Sequence, residues 1–354
     1  MEDWKIQNIA TLANGKKAKD ISPNFKYPIY GGNGILGYSN SYNESNVVII
    51  GRVGAYCGSV HYSKEKCWIS DNAISAKTKD ENNNQYLYYL LTSLKLNRYH
   101  IGGAQPLMTQ GIINNIDIPH HSLSIQKKIA GILSALDEKI ETNRKINARL
   151  EEMAQAIFKS WLTTCKDRVK IGELCSNILD YTPNLSPKVR LINSADITEG
   201  RFDDYPLVEN KNLKGHFKKR FRREDILYSE IRPRNHHYGY ALIDGDEYVV
   251  STRFMVIRNL PDKVTSAILY QYLLLPEVEA DFTAKTESRS GTFPQGTYKD
   301  LATIEVPYSS NQNYIDAILR LVRHKIFSLQ KESVRLAELR DTLLPKLMSG
   351  EIKV

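Results

Sequence analysis

Two stretches of this chain match each other without a gap at an offset of 186 residues (315 minus 129). They are residues 129–162, IAGILSALDEKIETNRKINARLEEMAQAIFKSWL, and residues 315–348, IDAILRLVRHKIFSLQKESVRLAELRDTLLPKLM. The residues of the first stretch that recur unchanged in the second are Ile129, Ile132, Leu133, Lys139, Ile140, Lys145, Arg149, Leu150 and Glu152. This internal repeat predicts a duplicated structural unit, so any fold for the chain must accommodate two copies.

Both stretches have the pattern of a long, uninterrupted helix. Glycine and proline are absent from residues 132–162 and 308–344, so neither breaks the helical hydrogen-bond ladder there. Apolar residues recur at alternating three- and four-residue steps, as in a coiled-coil seam. The predicted helix-pairing residues are Ile129, Leu133, Leu136, Ile140, Leu150, Ile157, Ile315, Leu319, Val322, Ile326, Leu336 and Leu343. The middle of the seam is polar, with Asn143 and Asn147 in one copy and Ser333 in the other, and such residues can fix register and partner.

A helix of this length needs a partner. At about 1.5 Å per residue, each stretch makes a rod of about 50 Å with one narrow apolar seam. The other copy is the obvious partner, and because a whole domain separates the two helices in sequence, they can pack antiparallel. The alternative is that each helix only caps its own globular domain.

The segments that precede the helices show a looser version of the same repeat. Each starts near a Lys-Ile pair and contains hydrophobic runs of about five residues, broken by Gly, Asn and Pro, which indicates a mixed sheet with loops. The matched runs are 47–54 with 226–234, 67–76 with 248–257, and the short helical runs 86–94 with 268–275. We predict an α+β fold of two globular domains, each followed by a long helix, with the helices paired as an antiparallel coiled coil of pseudo-two-fold symmetry. The predicted boundaries are 1–122 and 164–309 for the globular domains, 123–163 for the central helix, and 310–354 for the C-terminal helix and tail.

Basic residues are unevenly distributed along the chain. The formal net charge is +8 and the pI is about 9.0, but a basic balance alone does not establish a polyanionic partner. Residues 211–223 carry a dense basic run, and residues 232–240 mix Arg, Asn, His and Tyr. Lysine and arginine suit phosphates, whereas Arg, Asn and Gln can pair with base edges; a merely solvated basic surface is the alternative. The candidate DNA-contacting residues are Arg52, Lys64, Lys66, Arg98, Gln105, Thr109 and Gln110 in the first domain, and Lys214, Lys218, Lys219, Arg220, Arg222, Arg223, Arg232, Arg234, Asn235, Arg289 and Gln295 in the second.

The motifs that could indicate catalysis lack the sequence context that a catalytic or cofactor site requires. Residues 32–37 match G-x-G-x-x-G, but turn-forming residues follow and no helix opens there, which argues against a dinucleotide site. The adjacent His236 and His237 have no cluster of acids or cysteines beside them in the sequence, so we predict no metal site. P-loop, H-E-x-x-H, G-x-S-x-G and (Asp/Asn)-Pro-Pro-aromatic motifs are missing from the sequence, so we predict a chain that is not an enzyme and binds no cofactor itself.

The sequence also favours a cytoplasmic protein. Cys57, Cys67, Cys165 and Cys175 form no C-x-x-C pair and do not amount to a disulfide framework for a chain of this length. No run approaches the roughly 18 apolar residues of a membrane helix, and the polar N-terminus lacks the features of a secretory signal.

The helical stretches and their flanks resemble the repeated central and C-terminal regions of type I restriction specificity subunits. The residues that carry this resemblance are IQKKIAGILSALDEKIETN (125–143), ARLEEMAQAIFKSWL (148–162) and LRDTLLPKLMSGEI (339–352). In addition, YPIYGGNGILGYSN (27–40) resembles the opening of a target-recognition domain in that family.

The resemblance implies a sequence-specific DNA-binding subunit without catalytic activity of its own. It implies that residues 1–122 and 164–309 are target-recognition domains, each reading one half of a bipartite, asymmetric site, with the helices as spacer. The implied partners are double-stranded DNA and two methyltransferase subunits, which hold S-adenosylmethionine, and a restriction subunit that can join them; no membrane is involved. The alternatives are a stand-alone DNA-binding protein built from the same domains, and an enzyme that carries its own specificity domain.

Overall fold

The chain folds into two compact units. The computed structural model describes residues 4–79, 83–103, 105–202, 205–287 and 295–354. Unit 1 comprises residues 1–141 and 335–354, and unit 2 comprises residues 142–334, so each unit holds one globular part and a segment of each long helix. No helix within the described ranges is long and apolar enough to cross a membrane.

Unit 1 is built from short strands and a few helices. Its strands are β1 Trp4–Lys5, β2 Ala10–Asn14, β3 Tyr27–Gly31, β4 Gly34–Ser39, β5 Val47–Gly51, β6 Val60–Ser63, β7 Trp68–Ile69, β8 Ala73–Thr78 and β9 Asp117–Ile118. Its helices are α1 Ile6–Ile9, α2 Asn84–Ser93, α3 Gln110–Asn114 and the first part of α4 Leu123–Leu162, with 3-10 turns at Gly54–Tyr56 and Leu96–Arg98.

An antiparallel sheet in the order β2-β8-β5-β6 lies at the centre of unit 1. Its strand β5 reads VVIIG and is buried along its whole length, because alternate side chains enter two different cores. Val48 packs in the cluster that contains Leu90 of α2, whereas Ile49 packs with Ile69 of a second sheet, ordered β4-β3-β7. Burial of each such side chain contributes about 1.5–3 kcal/mol, which makes β5 a rigid support for the loop that follows it.

Unit 2 has a longer set of elements. Its strands are β10 Asp167–Lys170, β11 Cys175–Asn177, β12 Lys188–Ile192, β13 Ile197–Thr198, β14 Arg201–Phe202, β15 Leu207–Glu209, β16 Phe217–Lys219, β17 Ile226–Ser229, β18 Tyr238–Tyr240, β19 Tyr248–Ser251, β20 Phe254–Asn259 and β21 Glu305–Tyr308. Its helices are α5 Ser266–Leu273, α6 Pro276–Glu287, α7 Tyr298–Ala302 and the first part of α8 Asn313–Met348.

Unit 2 repeats the topology of unit 1. The sheet β11-β20-β17-β18 corresponds to β2-β8-β5-β6, and the pair β10-β21 corresponds to β1-β9. In the second sheet, β12 pairs antiparallel with β15 and parallel with β19, just as β3 pairs with β4 and β7. The β13–β14 hairpin, β16 and α6 are additions of unit 2 among the described elements. The duplication therefore extends through the globular parts, where the sequences match only loosely.

The helices α4 and α8 pair antiparallel in each unit. In unit 1, Asp137 of α4 binds Arg340 of α8 at 2.7 Å. In unit 2, Asn143 of α4 donates to Glu332 of α8 at 2.9 Å, and Glu151 further along α4 binds Arg323, which precedes Glu332. Rising numbers on one helix thus meet falling numbers on the other, and the predicted antiparallel pairing is confirmed.

The predicted helix-pairing residues fall into two groups by burial. Those near the start of each helix are buried in the globular core of a unit: Ile129 and Leu133 in unit 1, and Ile315, Leu319, Val322 and Ile326 in unit 2. The others are half-buried along the helices: Leu136, Ile140, Leu150, Ile157, Leu336 and Leu343. Near the helix ends, Phe158 of α4 enters the core of unit 2, and Leu347 of α8 enters that of unit 1. The helices therefore both pair with each other and cover the globular cores.

Polar contacts fix the register of the helix pair in unit 2. Asn143 is fully buried, and its amide nitrogen donates to Glu332 at 2.9 Å and to Ser333 at 3.3 Å. Arg323 is only 4% exposed, forms a two-pronged ion pair with Glu151 and lies over the ring of Tyr270. A shift of one helical turn would leave these buried groups without their partners, which is strongly unfavourable.

Candidate nucleic-acid interface

Three loops of unit 1 meet where the buried strand β5 ends. The loop 52–58 begins at Arg52, whose amide donates to the Asn72 carbonyl at 2.9 Å in the turn between β7 and β8. The Arg52 carbonyl in turn accepts from the Met108 amide at 2.8 Å. The partly exposed Arg52 guanidinium lies 3.4 Å from the Asp71 carbonyl. We call this meeting point of loop 52–58, turn 70–72 and loop 99–108 the unit 1 junction.

Backbone pairing holds the third loop in place. Ile101 and Leu107 exchange backbone hydrogen bonds of 3.0 and 2.9 Å, and the Gly54 amide donates to the Pro106 carbonyl at 3.1 Å. The exposed Gln105 lies within the loop closed by these contacts. Arg52 and Gln105 therefore belong to the loops of the unit 1 junction, and the exposed Arg98 ends the 3-10 turn that leads into the third loop.

Two predicted contact residues of unit 1, Thr109 and Gln110, have local structural roles. The Thr109 hydroxyl accepts from the Ile112 amide and caps the first turn of α3, the usual use of threonine at that position. The Gln110 amide, with its nitrogen directed at Leu12, donates to the Leu12 carbonyl at 3.2 Å and accepts from the Asn14 amide at 3.1 Å. Both side chains are thus engaged within the fold, and their contact with DNA stays a prediction.

Lys64 and Lys66 lie apart from the unit 1 junction. They follow β6, and β6 pairs antiparallel with β5 so that Ser63 lies opposite Val47. The length of β5, at about 3.3 Å per residue, therefore separates them from Arg52. The Lys64 ammonium binds Glu138 of α4 at 2.7 Å, and that of Lys66 lies over a tyrosine ring. The structure does not bring these two lysines together with the other candidates of unit 1.

Unit 2 forms the same junction at the end of β17. Glu230 takes the place of Arg52, because its amide donates to the Arg253 carbonyl at 2.9 Å and its carbonyl accepts from the Gly296 amide at 2.8 Å. Loop 230–236 has the same length as loop 52–58. A bond from the Ser229 amide to the His237 carbonyl closes it, as a bond from the Gly51 amide to the Ser59 carbonyl closes loop 52–58. We call the meeting point of loop 230–236, turn 251–253 and residues 295–296 the unit 2 junction.

Side chains at the unit 2 junction form a hydrogen-bonded set. The Gln295 amide nitrogen donates to the Glu230 carboxylate at 3.0 Å, and its oxygen accepts from the Arg253 guanidinium at 3.3 Å. Arg253 is exposed and was not among the sequence candidates. In the repeat, Arg253 is equivalent to Asn72 of unit 1, within the matched runs 67–76 and 248–257. That equivalence could have identified Arg253 as a candidate. The candidate Arg289 lies outside the described residues.

The loop of the unit 2 junction also carries exposed basic residues. Arg232, Arg234 and Asn235 are exposed around a 3-10 turn. The Arg234 guanidinium binds Glu287 of α6 at 3.0 Å, and this ion pair orients the Arg234 side chain. Glu287 lies 53 residues further along the chain (287 minus 234), so the sequence alone did not pair the two residues.

Strand alternation divides the basic run 211–223. Lys214 and Lys218 are exposed, and the Thr252 amide donates to the His216 carbonyl at 2.7 Å, which places β16 beside the unit 2 junction. Lys219 points the opposite way, is 2% exposed and donates its ammonium to the Phe254 carbonyl. Burial lowers the pKa of Lys219, against the opposing effect of the Glu230 charge. Lys219 is therefore an internal hydrogen-bond donor, and its prediction as a DNA contact is wrong.

The end of the basic run lies at the far end of β17 from the unit 2 junction. Arg220 binds Asp246 at 3.1 Å, and the Arg223 guanidinium donates to the Leu242 carbonyl at 2.6 Å. Arg222 is exposed in the turn that leads into Ile226, the first residue of β17, whereas the junction follows its last residue. The run that is continuous in sequence is therefore not one surface patch.

The junctions offer hydrogen-bond donors and acceptors rather than metal ligands. Among the described residues, no group of three or more His, Cys, Asp or Glu side chains could hold a metal ion. The cysteines are all free thiols, and burial raises the pKa of Cys175 to about 12. Guanidinium, amide and carboxylate groups at exposed loops are the groups that proteins use to read base edges.

The chain matches known proteins along most of its length. The family model of the type I restriction modification DNA specificity domain matches residues 1–152 and 169–332. The type I restriction enzyme HindI specificity subunit of Haemophilus influenzae is 37% identical over 161 residues, which are 44% of this chain and 35% of that subunit. The MjaIX specificity subunit of Methanocaldococcus jannaschii is 25% identical over 317 residues, 78% of this chain and 71% of that one. A crystal structure of the type I restriction–modification S subunit from M. genitalium superposes with a TM-score of 0.66 at 19% identity, over 98% of this chain and 95% of that chain.

These matches define the class of protein. One family match falls in each half of the repeat, and the M. genitalium S subunit shares the fold. The chain therefore belongs to the family of type I restriction–modification DNA specificity proteins. The aligned segment spans only about a third of the HindI subunit.

Proposed function

We propose that the chain is the DNA-reading specificity subunit of a type I restriction–modification complex and carries out no chemistry itself. One observation carries the proposal: the same three-loop junction occurs at the end of a buried strand in both units, with different side chains. A rigid strand that supports a variable polar loop is the arrangement expected of a recognition site.

The side chains of the two junctions fit two different half-sites. Arg52 and Gln105 in unit 1 offer the paired donors and acceptors that suit guanine and adenine. Unit 2 presents Arg253 and Gln295 together with Glu230, whose carboxylate can accept from cytosine. Because position 52 is basic and its equivalent 230 is acidic, the two units would read different bases, and the whole target would be bipartite and asymmetric.

Exposed lysines beside a junction fit the DNA backbone. Lys214 and Lys218 are exposed on the segment next to turn 251–253. Phosphate contacts of this kind position the protein on the duplex without reading sequence, and they make binding dependent on salt.

The outer faces of the paired helices fit docking partners. Several apolar side chains of α4 and α8 remain exposed after the helices have paired: Ile132, Ile146, Met153, Leu321 and Leu339, of which Leu321 is 72% exposed. Exposed apolar residues on a helix suit contacts with helices of another chain. By family, the partners would be two methyltransferase subunits, one for each repeat, which would supply S-adenosylmethionine, and a restriction subunit that can join them.

The direct test is reconstitution with the methyltransferase subunit of the same system. We expect a stable complex that methylates a bipartite, asymmetric sequence, identified by sequencing the modified bases, whereas the chain alone transfers no methyl group. A chain that never binds a methyltransferase subunit would contradict the proposal, and methyl transfer by the purified chain would show an enzyme instead.

The role of the helices as spacer has its own test. Deleting seven residues from both helices, between the ion pairs Asp137–Arg340 and Glu151–Arg323, should change the number of base pairs between the half-sites or abolish methylation. A modified site with unaltered spacing would mean that the helices do not set the distance.

A further inference from the structure

The loops of the two junctions have the same backbone conformation, but they differ in the residues at the two positions that have a positive φ. Loop 52–58 has Gly54 and Gly58 in the left-handed region, with φ of 73° and 82°. Loop 230–236 has Arg232 and His236 at the equivalent positions, with φ of 47° and 55°. Glycine adopts this region freely, whereas other residues do so only when their surroundings hold them there.

Side-chain contacts hold His236 in this conformation. Its Nε2 lies 2.7 Å from the Glu279 carboxylate, and its Nδ1 lies 3.3 Å from that of Glu199. The His236 carbonyl also accepts from the Glu199 amide at 2.9 Å. The imidazole is therefore clamped between two acids that belong to different elements.

Both acids lie on elements that unit 2 adds to the repeated fold. Glu199 is in the turn between β13 and β14, and Glu279 is on α6, neither of which has a counterpart among the described elements of unit 1. Arg234 in the same loop binds Glu287, also on α6. The added elements thus supply the acids that fix loop 230–236. In loop 52–58 a glycine adopts the same backbone conformation without such contacts.

We propose that His236 is the positioning residue of the unit 2 junction, and that its two-carboxylate clamp holds Arg232, Arg234 and Asn235 in the conformation that reads DNA. This inference rests on the proposed function, because it takes loop 230–236 to be a DNA-contacting loop. His236 itself lies 37% exposed between the two acids, and it acts through the residues that precede it.

The clamp depends on the charge of the imidazole. Both ring nitrogens can donate to the two carboxylates only when His236 is protonated. Partial burial lowers the pKa of His236, but Glu199 and Glu279 outweigh that effect and raise it above its ordinary value. The cavity that His236 lines also contains charged groups on other elements, namely Arg144 and Glu151 of α4 and Arg201 of β14, together with Tyr238 and Tyr270. The clamp is therefore complete at low pH and weakens as pH rises through the raised pKa.

The test compares His236→Gly with the wild type in the complex with the methyltransferase subunit. Glycine removes the clamp but keeps the backbone conformation available, as Gly58 does in unit 1. The probes are a duplex with the methylated sequence and the same duplex with the half-site of unit 2 scrambled. We expect H236G to bind the intact site about tenfold more weakly at pH 6, a loss of the size of one base contact. Its affinity should not fall further at pH 8, whereas that of the wild type should.

Two further results separate the clamp from the proposed function. Hydrogen exchange in residues 231–238 of the full chain, without DNA, should be faster in H236G than in the wild type, and Glu279→Gln should behave in the same way. Wild-type affinity and pH dependence in H236G would overturn the inference, whether or not exchange changes. Failure of the proposed function would appear differently, as a wild-type complex that does not distinguish the intact from the scrambled duplex.

Discussion

The two junctions share their backbone hydrogen bonds but almost none of their side chains. Arg52 and Glu230 occupy one position with opposite charge, and Asn72 and Arg253 occupy another. Even the left-handed positions differ, with Gly58 in unit 1 and His236 in unit 2. The comparison teaches that duplication has preserved the support for the loops while the groups they present have diverged, as expected for two readers of different sequences.

The largest difference between the units concerns the ion pairs between α4 and α8. Arg323→Ala should destabilise the chain by about 3–5 kcal/mol, because it leaves Glu151 without its partner in a largely buried site. Arg340→Ala should cost about 1 kcal/mol or less, since Arg340 is 28% exposed against 4% for Arg323, and Asp137 keeps its hydrogen bond from the Tyr89 hydroxyl. Urea unfolding of both variants measures this difference. Equal losses would show that burial does not distinguish the two pairs.

An intermediate effect, on DNA binding, is expected from substituting the adjacent lysines of β16. Lys218→Ala should lower affinity for every sequence alike and reduce the slope of log affinity against log salt by about one, because it would remove the phosphate contact proposed for Lys218. Lys219→Met should leave both unchanged, because the Lys219 ammonium is already bound to the Phe254 carbonyl. Salt titrations of the two variants check the assignment. A lower slope in K219M would contradict the orientation of β16.

The smallest effect is expected for the exposed pair Lys64–Glu138 in unit 1. Lys64→Ala should change stability by less than about 1 kcal/mol, because its side chain is 55% exposed. It should not alter DNA affinity, since Lys64 lies at the opposite end of β5 from Arg52. A marked loss of affinity in K64A would extend the interface of unit 1 beyond its junction.

The long helices and their pairing could be predicted because the apolar periodicity and the gapless repeat can both be read directly from the order of residues in the chain. The two globular parts match only loosely in sequence because the offset between equivalent residues is not constant. The offset is 186 residues in the helices, 178 between Arg52 and Glu230 (230 minus 52) and 181 between Asn72 and Arg253 (253 minus 72). The change from 178 to 181 falls in the segment between β18 and β19, which is longer than the segment between β6 and β7, and α6 lies in the interval over which the offset rises further to 186.

The candidate site was predicted only in part, because charge along the chain does not reveal strand direction. Lys218 and Lys219 look equivalent in sequence but point to opposite faces of β16. Arg253 stands alone in sequence and joins Glu230 and Gln295 only through tertiary hydrogen bonds. The acids that hold His236 are likewise distant in the chain.

The central claim is that each junction reads its own half of the DNA target. Its most direct test is to map the bases methylated by complexes that contain Arg52→Gln or Arg253→Gln. We predict that R52Q relaxes or changes the sequence of one half-site, R253Q that of the other, each by about 1–3 kcal/mol of discrimination at the affected base. Variants that alter the same half-site, or that leave both half-sites unchanged while the complex remains active, would contradict the account.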